Sequence, residues 1–303
     1  MSALKLALAP LPYYWTQSET VSFYRDIAQS AVDIVYLGET VCSRRHEMRL
    51  EDWLALAQDL AAAGKEVVLS TQTLIESESE LKTLRRIVEQ TDFRVEANDM
   101  GAVRLLIEHG RKDWIAGPAL NIFNTTTLAL MTGEGATRWV APPEMSREVL
   151  TELLAAPAVP ETEITAYGRL PLAYSARCFT ARHFNLQKDA CEFRCLDFPD
   201  GLLLKTREEQ PFLALNGTQT QSAATCNLLN ELPRLRQCAQ ILRIVPQHLH
   251  CAEIIALFRS ALEANETPAQ AYTRSLALMP ASPCNGFWYG RAGIEHILME
   301  TPP

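Results

Sequence analysis

The 303-residue sequence has no apolar run long enough to span a bilayer, so no transmembrane segment is expected. It has no Gly-x-Gly-x-x-Gly after any strand-like stretch, which weakens a dinucleotide-binding reading. His-Glu-x-x-His is missing, and no nucleophile–base arrangement stands out, so nothing points to proteolysis. Positive charge is also short: 28 Lys and Arg stand against 36 Asp and Glu, for a formal charge of −8 and a pI of about 5.4. An acidic surface repels nucleic acid and anionic lipid, and neither is an expected partner. Met1 to Pro12 lacks a convincing signal-peptide cleavage pattern and reads as a first strand, with a cytoplasmic location implied.

Apolar residues are plentiful, at 48% of the chain, enough for a full core. Eight cysteines are present. In a long chain expected in a reducing compartment, metal binding or plain burial explains cysteine better than disulfides.

Strand-like and helix-like segments alternate. Strands are expected at 4–9, 33–37, 66–70, 93–97, 114–121, 138–141, 163–167 and 241–245. Helices are expected at 18–30, 50–63, 79–89, 101–109, 125–131, 146–155 and 251–264. Leu50, Trp53, Leu54, Ala57 and Leu60 show the helical spacing, and Gly64 closes that helix. The pattern implies an α/β fold, a (β/α)₈ TIM-barrel-like domain over residues 1–303, with an open doubly wound sheet as the alternative. Between about 170 and 240 the alternation stops, so a cysteine-bearing insert is expected before the last strand. Chemistry in such folds gathers at the C-terminal ends of the strands.

Cys178, Cys191 and Cys195 lie in that insert, and Cys42 follows the second strand. In CEFRC the spacing brings Cys191 and Cys195 together, on one helix face or in a tight loop. A cubane of iron and sulfide takes one thiolate at each iron. Arg44, Arg45, Arg177, Arg182 and Arg194 lie close to these cysteines, where positive charge favours thiolate, although a solvated face explains them equally. Structural zinc more often uses two close pairs, and here there is one. From spacing alone an iron–sulfur cluster, a zinc site and ordinary core cysteines all remain open.

Several segments carry a resemblance: DIVYLGETVCSRR (33–45), GKEVVLSTQTL (64–74), YGRLPLAYSARCFTAR (167–182), KDACEFRC (188–195) and CNGFW (284–288). Through them the chain resembles the UbiV family, a branch of the collagenase-like peptidase superfamily. The resemblance implies a [4Fe–4S] cluster on Cys42, Cys178, Cys191 and Cys195. It implies a heterodimer with a homologous UbiU-like subunit and an association with a UbiT-like lipid-binding protein. The activity implied is hydroxylation of ubiquinone precursors without O₂, in anaerobic ubiquinone biosynthesis, with prephenate as oxygen donor. A non-catalytic electron-transfer or scaffold subunit is the alternative. Four cysteines on a cubane leave no iron free, which favours electron transfer or a structural role over direct substrate binding.

Other residues draw attention less strongly. Glu39, Asn98, Asp99, Asn121, Asn124 and Glu144 fall near strand ends that face a barrel's site, and capping is the better account of Asp99 and Asn124. Cys284 with Phe287 and Trp288 reads as a turn with packing aromatics. Tyr13, Tyr14 and Trp15 read as packing, His46 as surface, and Cys226, Cys238 and Cys251 as core or half-buried positions in or beside helical segments. The catalytic residues stay unassigned.

Overall fold

The computed structural model describes residues 4–298. Apolar strand cores and capped helices alternate from the start. The order is β1 (Lys5–Leu8), α1 (Gln17–Gln29), β2 (Ile34–Leu37), α2 (Leu50–Ala62), β3 (Glu66–Ser70), α3 (Glu78–Glu89), β4 (Arg94–Ala97) and α4 (Met100–Glu108). It continues with β5 (Trp114–Ala116), α5 (Thr125–Gly133), β6 (Ala136–Val140), α6 (Arg147–Leu154) and β7 (Glu161–Gly168). Thr16, Ser77, Asp99, Asn124 and Ser146 each cap the helix that follows with a side-chain oxygen, fixing where the chain turns from strand to helix.

The insert then begins. It holds β8 (Pro171–Tyr174), the single-turn α7 (Phe179–His183), β9 (Leu202–Lys205), β10 (Pro211–Asn216), β11 (Gln219–Ser222), β12 (Thr225–Asn227) and α8 (Leu232–Cys238). The barrel resumes with β13 (Ile241–Ile244) and α9 (Cys251–Leu262), followed by α10 (Pro268–Ser275) and β14 (Pro283–Cys284).

Strands β1 to β7 run parallel in sequence order, and β13 pairs with both β7 and β1, closing an eight-stranded barrel. The expected (β/α)₈ architecture is what the strands build. Strands β8, β11, β10 and β9 form a separate antiparallel sheet. This sheet sits over the C-terminal mouth of the barrel. Asn216 donates to the Pro12 carbonyl beyond β1, Thr218 to the Val41 carbonyl beyond β2, and Asp200 accepts from the backbone of His248 beyond β13.

The barrel interior carries charge as well as hydrocarbon. Ala7, Ile34, Tyr36, Val68, Ile115, Val140 and Ile241 form an inner apolar cluster. Beside them Arg243 bridges the fully buried Glu96 and Glu163 and lies 4.1 Å over the Tyr36 ring. Arg138 reaches Glu66 at 2.8 Å, Glu161 at 2.7 Å and the Tyr36 hydroxyl at 3.1 Å. These charges are held because each is paired.

Two local expectations change. The fifth strand stops at Ala116, because Pro118 opens a 3₁₀ turn and Asn121 is left-handed. Cys226 lies in a strand rather than a helix and is the register partner of Cys284. The insert mixes short strands with single helical turns and α8. No helix among the described residues is long and apolar enough to cross a membrane. Residues 1–3, part of the expected first segment, lie outside the described residues.

Candidate metal centre

Cys42 sits in the loop between β2 and α2. Gly38 starts that loop with φ +127°, and a Cβ there would stand 2.6 Å from the Ser70 carbonyl oxygen. Glu39 then accepts the amides of Val41 and Cys42 at 2.8 and 3.0 Å, which turns the chain inward at Cys42. Cys178 is the N-cap of α7, where its sulfur accepts the Ala181 amide at 3.4 Å. Cys191 ends one 3₁₀ turn and Cys195 lies in the next. Between them Glu192 and Phe193 both take positive φ, so CEFRC is a tight left-handed loop and not a helix face.

These four cysteines, spread over 154 positions of sequence, line one cavity together with Arg44, Arg45, Phe193, Arg194 and Gly217. The cavity has a volume of about 20 Å³ and is partly open to solvent. All four thiols are free. Among the described residues no three His, Cys, Asp or Glu form a group suited to a single metal ion. The thiols stand around a shared space instead.

The neighbouring arginines divide. Arg45 is buried, Arg44 and Arg194 are half-buried on the cavity wall, and Arg177 and Arg182 point to solvent. The thiolate-favouring role therefore has geometry behind it only for the first three. Burial pushes the Cys42 thiol up to about 11 and raises Cys195 as well, while Arg45 pulls both down without offsetting burial. With nothing bound, these two sulfurs hold their protons at neutral pH, and a metal that binds them displaces those protons.

The donors fit a soft, sulfur-rich group. Four thiols face the cavity, and the Nε atoms of both Arg44 and Arg45 are buried with no hydrogen-bond partner. A buried N–H without an acceptor costs roughly 1–3 kcal/mol. An acceptor in the cavity would remove that cost. Arg44 also ties the Cys42 loop to the insert, donating to the Asp189 carboxylate at 3.0 Å and the Asp189 carbonyl at 2.9 Å. Lys188 makes a second tie, pairing with Glu76 and donating to the Ala176 carbonyl.

Sequence reasoning missed Asn216 and Gly217, which lie in a polar stretch outside the segments that carry the resemblance, and gave no role to Lys188 and Asp189, although both open KDACEFRC (188–195). Of the other candidates, Glu39 is at the site, Asn98 bonds inside the barrel to Thr71 and Glu96, and Asp99 and Asn124 are caps. Asn121 is the left-handed end of a 3₁₀ turn, and burial raises the Glu144 carboxyl. Tyr13, Tyr14, Trp15, Cys238, Cys251 and Cys284 are buried, and His46 is exposed. A larger cleft of about 1000 Å³ adjoins the cysteine cavity between α2 and α3 and shares Arg44 and Arg45 with it.

The closed parallel strands and the insert over their mouth define a (β/α)₈ barrel with a cysteine-lined pocket at its C-terminal rim. Residues 19–294 match Peptidase family U32, and the chain belongs to that family. Among solved structures, tryptophan synthase from M. tuberculosis is similar at 11% identity, covering 91% of this chain and 93% of that one, with a TM-score of 0.43. The Rubisco-like protein from Rhodopseudomonas palustris is similar at 12% identity, over 87% of this chain and 64% of that one, with a TM-score of 0.47. N-acetylneuraminate lyase from Aliivibrio salmonicida is similar at 12% identity, over 90% and 79%, with a TM-score of 0.37.

Proposed function

We propose that Cys42, Cys178, Cys191 and Cys195 hold a [4Fe–4S] cluster. On this reading the chain is the cluster-bearing subunit of a heterodimer with a homologous UbiU-like protein. The pair serves O₂-independent hydroxylation of ubiquinone precursors, with a UbiT-like lipid-binding protein presenting the substrate and prephenate supplying the oxygen. The observation that carries the reading is the gathering of these four distant cysteines around one cavity, at the residues that bear the UbiV resemblance. Four thiols lining one cavity suit a group with an iron at each corner.

When bound, such a cluster supplies one-electron transfer. The chain's own residues do the rest. The antiparallel sheet closes the barrel mouth beside the site. Phe193, packed on Tyr14 with ring centroids 5.8 Å apart, covers one side of the pocket. Arg44–Asp189 clamps the insert to the Cys42 loop, and Lys188–Glu76 clamps it to the loop between β3 and α3. Since four thiolates leave no iron open, the cluster's role in the pair is to pass electrons or to stabilise the assembly, and the substrate sits elsewhere.

The test is hydroxylation by the anaerobically reconstituted pair, set against a pair in which this chain carries Cys178→Ser and Cys195→Ser. Loss of product with the assembly intact supports the hydroxylase reading. Full turnover by the cluster-free pair leaves a scaffold role and contradicts a part in the chemistry. Peptide cleavage by the purified chain would contradict both.

A further inference from the structure

Arg45 is the most constrained charge at the cysteine cavity. Its side chain is 1% exposed. Nη1 donates to the Pro12 carbonyl at 2.7 Å and lies 3.5 Å from Glu39 Oε1. Nη2 donates to Asn216 Oδ1 at 2.7 Å. Gly217, with φ +63°, closes over the same nitrogen, and a Cβ there would stand 3.1 Å from Nη2. The guanidinium therefore has no room to swing toward solvent. Three segments hold it: the loop after β1, the loop after β2 and the antiparallel sheet.

The remaining nitrogen is different. Nε is buried with no nitrogen or oxygen hydrogen-bond partner, on a side chain that lines the cavity beside Cys42 and lies close enough to Cys195 to act on its thiol as a donor. Arginine stays charged in proteins, and a fixed charge acts strongly where water is excluded. Packing alone would not call for a cation here. A buried arginine with both Nη atoms engaged and its Nε left without a partner is placed to face an acceptor.

We propose that Arg45 is a positioning residue for the proposed cluster, donating Nε–H to a cluster or ligand sulfur and holding the cluster's reduction potential up. Glu39, paired with it, cancels part of that charge and so works in the opposite direction. Cluster potentials respond to local charge and to hydrogen bonds on sulfur, and Arg45 supplies both. The proposal rests on the cluster reading above.

The experiment is an EPR-monitored redox titration of the full chain, purified without air, for wild type, Arg45→Met, Arg45→Lys and Glu39→Gln. Iron and sulfide are measured in each. Arg45→Met is expected at a more negative potential than wild type. Arg45→Lys, which keeps a cation and loses the Nε donor, is expected in between. Glu39→Gln is expected at a more positive potential. A merely structural arginine would alter loading or stability and leave the potential of loaded protein unchanged. If Arg45→Met does not fold or load, the opposed shifts of Arg45→Lys and Glu39→Gln decide. Unchanged potentials in loaded variants overturn the Arg45 proposal alone. Wild-type protein free of iron and sulfide overturns the cluster reading, and this proposal with it.

Discussion

The eight cysteines form two populations that the same chain treats in opposite ways. Cys226, Cys238, Cys251 and Cys284 are buried in the hydrophobic core. Cys226 and Cys284 are neighbours across two short strands and face an apolar pocket with Met145, Leu150 and Phe287. Cys42, Cys178, Cys191 and Cys195 sit in loops and single turns, around a cavity edged by guanidinium groups. Burial raises thiol pKa values in both places, with Cys251 near 12 and Cys42 near 11. Thiol acidity does not separate the two groups. What separates them is that four sulfurs share one cavity at the site, against two in the core pocket, and that unpartnered guanidinium Nε atoms belong to residues lining the first.

The sharpest way to break this comparison is serine substitution in each set. Any one of Cys42, Cys178, Cys191 or Cys195 changed to Ser is expected to remove most of the bound iron and sulfide. Cys238→Ser and Cys251→Ser should leave metal content unchanged and cost about 1–3 kcal/mol of stability from a buried hydroxyl. Metal analysis and denaturant unfolding on the same preparations read both effects. Equal metal loss from both sets would erase the distinction.

A second contrast sets the site's charges against those inside the barrel. Glu163→Gln leaves Arg243 with one carboxylate in a closed interior, and a loss of about 3–5 kcal/mol is expected in urea unfolding. Metal content should stay near wild type, because the network lies below the cap and not beside the cysteines.

The core thiols also predict a pH dependence. Cys284 is pushed up to about 11 and Cys251 to about 12, in each case by burial. The unfolded chain releases these protons near pH 8.5 (about the free-thiol value), whereas the folded chain keeps them. Stability is thus level below that pH, falls as pH rises, and stops falling through these groups once their folded values are passed. Cys284→Ala is expected to flatten part of the slope, measured as unfolding midpoint against pH in protein stripped of metal. The smallest effect belongs to Asp189→Ala. Its pair with Arg44 is exposed and is worth under about 1 kcal/mol. Faster loss of iron to a chelator should be its main signature.

Much of the scaffold was legible because local signals agreed. The third strand was read with its observed bounds, Glu66–Ser70, since a continuous apolar run lies between Gly64 and a polar turn. Asp99 and Asn124 were legible as caps because their position relative to the helix fixes their chemistry. The antiparallel cap was not legible. Gln219–Ser222 is wholly buried yet polar, so no apolar alternation marks it as a strand. The interior charges hid inside strands that read as apolar, with Glu96, Arg138, Glu163 and Arg243 the only hint. At the site, four cysteines and three arginines could be singled out from sequence. Their convergence could not, because it depends on Gly38, on two left-handed residues between Cys191 and Cys195, and on the placement of the cap.

The central claim is tested most directly by measuring iron, acid-labile sulfide and zinc in the full chain purified without exposure to air. The account predicts about four irons and four sulfides per chain, and no stoichiometric zinc. Stoichiometric zinc without sulfide would contradict it.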